Sequence, residues 1–91
     1  MIRSTLQKYQ MGMITDEHLV VESLQMLDPA NPGLVLGSLP DNILTHVLRF
    51  AKEYQPGRMA TNYGVLPAQD QVLAAQQWIE KALKQKAGTT A

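Results

Sequence analysis

The sequence predicts an all-α domain, a small bundle of three main helices preceded by a short N-terminal one. Two observations predict it. Apolar residues recur at three- and four-residue spacings along three long stretches, the repeat of a helix with one buried face. Residues that start or stop helices bracket those stretches. The hydrophobic fraction of 45% is that of a globular chain and too high for a disordered one.

The short first helix follows from Ile2, Leu6, Tyr9 and Met13, which share one helical face. Ser4 and Gln7 fit a capping box and predict a start at Thr5. Gly12 is a natural stop, since glycine enters the left-handed region without a Cβ clash.

The second helix is expected from Asp16 to Leu27. Thr15 is a good N-cap, and Asp16 and Glu17 put negative charge at the positive end of the dipole. Leu19, Val20, Ser23, Leu24 and Leu27 fall on one side. Asp28-Pro29 ends the helix, because proline disfavours helical geometry in the residue before it. The linker from Asp28 to Ser38 carries Leu34-Val35-Leu36, expected to plug the loop onto the core.

The third helix starts at Pro40, which suits a first turn because its missing N–H has no helical partner there. Ile43, Leu44, Val47, Leu48, Phe50, Ala51 and Tyr54 make a wide apolar stripe. Asn42, Thr45, Arg49, Lys52 and Glu53 lie opposite, and Gln55-Pro56-Gly57 stops the helix. A loop from 55 to 66 follows, long for a compact domain. The fourth helix is expected from Pro67 to Lys86, with Ala68, Val72, Ala75, Ile79, Ala82 and Leu83 on one face. Residues 1–86 therefore form a single domain, and 87–91 a frayed tail.

Composition narrows the function. A chain of 91 residues builds one modest core. Eight basic and eight acidic residues cancel, which removes the bulk electrostatic argument for nucleic acid or anionic membrane and mildly favours self-association. The absence of cysteine excludes disulfides, thiolate metal sites and a cysteine nucleophile. The first twenty residues lack the apolar run of a secretory signal, and no apolar run approaches a membrane span. The expected location is the cytoplasm.

Chemistry-bearing residues are sparse. His18 has Glu17 and Glu22 nearby; His46 has Asn42 and Arg49 at helical spacing; neither set completes a metal site. Both histidines are expected at the surface or its boundary. The carboxylates read as helix-end or polar-face charges, with no catalytic pair. No GxSxG, GxGxxG or Walker loop occurs. The sequence assigns no catalytic residue, no metal ligand and no cofactor. An enzyme built near His46 and Arg58 ranks last among the readings.

Two places suggest a partner surface. The long loop carries Arg58, Met59, Asn62 and Tyr63, and Arg and Tyr are enriched in interface hot spots. On the fourth helix, Trp78 lies at one border of the apolar stripe and Leu73 at the other. The expected place of Trp78 is the core; if it is not buried, its side of the helix is the partner surface. The five methionines are expected to fill gaps in the core. Lys81, Lys84 and Lys86 form the one local basic cluster, with Glu80 among them, and DNA binding through them is the second reading.

The stretch SLPDNILTHVLRFA resembles the opening of an F-box, through Leu39, Pro40, Ile43, Leu44, Val47 and Leu48. The likeness covers about fourteen residues and lacks the downstream tryptophan-containing half. A proline-initiated amphipathic helix gives the same pattern by physics alone, so no family is assigned from it. The resemblance would imply docking of a helical adaptor onto residues 39–54. The leading expectation is a non-enzymatic protein-interaction module or accessory subunit, binding a protein partner or itself as a homo-oligomer.

Overall fold

The computed structural model describes residues 2–55 and 65–89. Those residues are helical with no strand: α1 Ile2–Gln10, α2 Asp16–Met26, α3 Gly33–Leu36, α4 Asp41–Lys52 and α5 Gln69–Thr89. The all-α fold is as the periodicity predicts, with one more helix than expected.

α1 begins at Ile2, so Ser4 lies inside the helix and does not cap it. Tertiary packing overrides the local signal: Thr5 is buried against α2, and Leu6 and Tyr9 pack on the core. The stop is the expected one. Gly12 takes φ +75°, Met13 N–H donates to the Lys8 carbonyl at 2.8 Å, and Gly12 N–H donates to that of Tyr9 at 3.0 Å. These two bonds and the left-handed glycine form a Schellman stop, satisfying carbonyls the helix leaves open.

α2 starts as expected, with the Thr15 hydroxyl accepting from His18 N–H at 3.1 Å. Val21 is buried along with Leu19, Val20, Ser23 and Leu24, so burial wraps most of the helix. The reason is position: α2 packs against all four other helices and stands at the centre.

The Leu34-Val35-Leu36 plug folds as one helical turn. Neighbouring side chains on a helix point about 100° apart, so all three cannot face inward. Val35 and Leu36 are buried, and Leu34 is left 67% exposed.

On α4, Ile43, Leu44, Val47 and Ala51 are buried, while Leu48 and Phe50 are half-buried. Complete burial of side chains such as Ile43 and Val47 stabilises by about 1.5–3 kcal/mol each. The helix ends at Lys52, short of Tyr54. Tyr54 leaves the helical stripe, stacks obliquely on Phe50 with centroids 5.6 Å apart, and donates its hydroxyl proton to the Pro67 carbonyl. That bond ties the end of α4 to the approach to α5.

α5 begins at Gln69 rather than Pro67, and Ala68 is exposed ahead of it. Val72, Ala75 and Ile79 carry the core face, with Ala82 and Leu83 half-buried. The helix continues to Thr89, into the segment expected to fray. One side chain fixes where α5 starts and where α2 stops. Gln71 Oε1 accepts from Ala68 N–H at 2.9 Å, while Gln71 Nε2 donates to the carbonyls of Gln25 and Leu27, each at 3.0 Å. Open donors and acceptors at two helix ends are thus satisfied together.

Of the methionines expected to fill gaps in the core, Met11, Met13 and Met26 do not, and Met1 and Met59 lie outside the described residues. Met11 and Met13 are 67% and 64% exposed, and Met26 is also exposed. The turn that closes α1 places the first two beyond the reach of the bundle.

Candidate functional site

Trp78 is half-buried, at the edge of the α5 stripe. Its indole rests on α3, where a Cβ at Gly33 would stand 3.1 Å from Trp78 Nε1. The turn before α3 is held by Asp28. Its Oδ1 accepts from Ala30 N–H at 2.9 Å, and its carbonyl accepts from Asn31 N–H at 2.9 Å. That turn sets Pro29 and Pro32 beside the indole. An open groove of about 240 Å³ results, lined by Pro29, Pro32, Ala74, Gln77, Trp78 and Lys81. A second, of about 270 Å³, is lined by Trp78, Lys81, Ala82 and Gln85. Trp78 and Lys81 are common to both.

Of the expected partner-binding residues, the structure brings Trp78 into this surface and separates Leu73 from it. Leu73 is 52% exposed but lies five residues away, roughly 140° around the helix. Arg58, Met59, Asn62 and Tyr63 lie outside the described residues. Pro29, Pro32 and Gly33 belong to the surface and were not anticipated; a tryptophan about 45 residues downstream leaves no periodic trace in a proline-rich turn. Lys81 and Lys84 are exposed and follow Trp78 at three-residue steps, on neighbouring positions of one face. Glu80, placed among the lysines in sequence, projects about 100° away from Lys81.

A larger open groove, about 450 Å³, lies between α2 and α4. Val20 and Phe50 are its apolar lining; Asp16, Glu17, His46, Arg49 and Glu53 surround them. His46 Nε2 is 3.9 Å from Asp16 Oδ2, and Arg49 Nε is 3.8 Å from Glu53 Oε1. Both pairs are exposed, which makes them weak. The Asp16 carboxylate, bonded to the Tyr9 phenol, holds Tyr9 above its ordinary pKa; burial and the Asp16 charge add to this, and Asn42 acts against it.

The third cluster joins α1 to α2. Thr5 Oγ1 donates to Glu22 Oε2 at 2.9 Å, and His18 Nε2 donates to Glu22 Oε1 at 2.9 Å. Partial burial pushes the Glu22 carboxyl up, but the bonds from His18 and Thr5, with the charges of His18 and Lys8, outweigh it and hold the group below its ordinary value. In a nucleophilic triad the imidazole stands between hydroxyl and acid. Here the carboxylate stands between them, and a carboxylate held ionised is a weak base. The cluster is a clamp across α1 and α2.

Among the described residues no group of three or more His, Asp or Glu is placed to hold a metal ion, and no helix is long and apolar enough to cross a membrane. Compared with protein-family models, curated proteins and solved structures, the chain matches none. The short resemblance to an F-box opening therefore has no family match behind it, and Leu39, Ile43, Leu44 and Val47, which carry it, are buried core residues of this bundle.

Proposed function

We propose that this chain is a non-enzymatic protein-interaction module whose partner-binding surface is the Trp78 face of α5 with the Pro29–Pro32 turn beside it. The observation that carries the reading is the half-buried indole shared by two adjacent grooves. A single core aromatic would have one buried side and no such surroundings. Tryptophan supplies large contact area at low entropic cost, and it is among the side chains on which binding energy concentrates. Lys81 adds a charge at the rim, where it would bias partner choice and association rate.

The test is capture of a partner with the wild-type chain and with Lys81→Glu and Gln77→Glu, followed by titration of the purified pair. Both substitutions alter the groove rim and leave the core face of α5 alone. The expected result is one partner bound by the wild type and weakened at least about tenfold by either substitution, with the helical circular dichroism unchanged. A partner bound equally by all three proteins would overturn this surface.

A further inference from the structure

We infer that the partner of this surface is a second copy of the chain, the Trp78–Lys81–Lys84 strip of one molecule seating in the α2/α4 groove of the next. The inference rests on the interaction-module reading and names the partner.

Charge segregation carries it. The net charge is zero over the whole chain, yet the charges are not mixed. Between residues 16 and 53 lie six of the eight acidic residues (Asp16, Glu17, Glu22, Asp28, Asp41, Glu53) and two of the eight basic ones (Arg49, Lys52), a net of −4. The residues before and after that segment share a net of +4. Of that excess α5 holds Lys81, Lys84 and Lys86 against Asp70 and Glu80, so the α5 strip and the α2/α4 groove differ in the sign of their charge. The α2/α4 groove holds three carboxylates, Asp16, Glu17 and Glu53, with Arg49 beside Glu53 and His46 beside Asp16. The α5 strip sets Lys81 beside the indole with no acid three or four residues from it, and Lys84 beyond it, with Glu80 four residues before Lys84 on the adjoining edge.

The surfaces also match in apolar character. The groove offers the half-exposed Phe50 between its carboxylates, with the buried Val20 behind it. The strip offers Trp78 and Ala82 beside its lysines. An indole laid on the Phe50 ring, with Lys81 and Lys84 reaching Glu17 and Glu53, pairs apolar with apolar and cation with anion. The two surfaces differ, so the contact is head-to-tail: each molecule keeps one free strip and one free groove, and association continues beyond a dimer unless it closes into a ring.

Sedimentation equilibrium on the full chain tests this. At low salt the wild-type weight-average mass should rise with concentration past that of a dimer. It should fall toward monomer near 1 M NaCl, where the screening length shrinks to roughly 3 Å. Lys81→Glu with Lys84→Glu removes the strip, and Glu17→Gln with Glu53→Gln removes the groove; circular dichroism confirms that each variant folds. Each variant alone should associate at least about tenfold more weakly than wild type. Mixed in equal amounts, they should restore association but stop at one-to-one, because the mixture holds one intact strip and one intact groove. A wild type that stays monomeric at low salt overturns the self-association, as do variants that associate like wild type or a mixture no heavier than its parts. Loss of a captured partner through Lys81→Glu, with the wild type monomeric, would leave the interaction surface standing and remove only the second copy as its occupant.

Discussion

The Trp78 indole packs on Gly33 so closely that a β-carbon there would come within 3.1 Å of Nε1. Glycine at 33 therefore sets how deep the tryptophan sits, and so how much of it the neighbouring grooves present. Gly33→Ala should move the ring by a few tenths of an ångström or turn it outward. The alanine itself favours the α3 turn by about 0.5–1 kcal/mol, which offsets part of the repacking cost. The expected outcome is a changed emission maximum for Trp78, the one tryptophan, with stability within about 1 kcal/mol of wild type. Unchanged emission would mean that Gly33 does not seat the ring.

Gln71 bridges two helix ends, which makes it more demanding than its half-buried position suggests. Gln71→Ala removes one bond to Ala68 and leaves the Gln25 and Leu27 carbonyls without their amide donor. The cost should be about 1–3 kcal/mol in urea unfolding. Gln71→Glu is the sharper test. It keeps an acceptor for Ala68 N–H and adds an acid in the first turn of α5, which the helix dipole favours. It also turns an oxygen toward two carbonyls. If the bridge to α2 matters, glutamate destabilises at least as much as alanine; if only the start of α5 matters, glutamate is tolerated.

The legibility of the fold divides along the same line. Thr15 and Gly12 act on residues within a turn of themselves, and each does what its chemistry predicts; Pro40 stands one place earlier than expected, an extended N-cap with ψ 157° ahead of a helix that starts at Asp41. The failures are long-range or too short to show a period. Ser4 looked like a cap because its neighbours fit one, while the burial of Thr5 against Glu22 extended the helix to Ile2. Four residues, Gly33 to Leu36, cannot display a 3.6-residue repeat, so α3 read as a plug. Trp78 could be placed at the border of its stripe from spacing. Its neighbours Pro29, Pro32 and Gly33 could not, nor could the approach of Asp16 to His46, thirty positions apart. Such contacts are set by how helices cross and leave no periodic signal along the chain.

Ser23 presents a different kind of prediction. Its Oγ is buried among the core residues of α2 and has no hydrogen-bond partner among the described residues. A buried hydroxyl without a partner keeps its desolvation cost and returns nothing. Ser23→Ala removes that cost and adds a better helix former, and should raise stability by about 1 kcal/mol. A loss of that size in thermal or urea unfolding would show that the hydroxyl is satisfied in solution.

The Thr5–Glu22–His18 clamp should give stability a pH dependence in the acid range. The folded-state pKa of Glu22 lies below its ordinary value of 4.5, so the unfolded chain binds more protons in that range. The clamp's contribution is therefore complete above the ordinary value and is lost as pH falls through the lower, folded one. Glu22→Gln should flatten the urea midpoint against pH in that window. A wild-type profile already flat there would remove the clamp from the account.

On the proposed function Trp78 faces a partner as well as the core. Acrylamide quenching of Trp78 emission tests it directly, since the quencher is neutral and ignores the charges nearby. In the free chain the ring should quench as a half-exposed indole; in the saturated complex the quenching constant should fall by at least about half, the ring's open side being covered. Equal quenching in the free chain and in the saturated complex would contradict the claim.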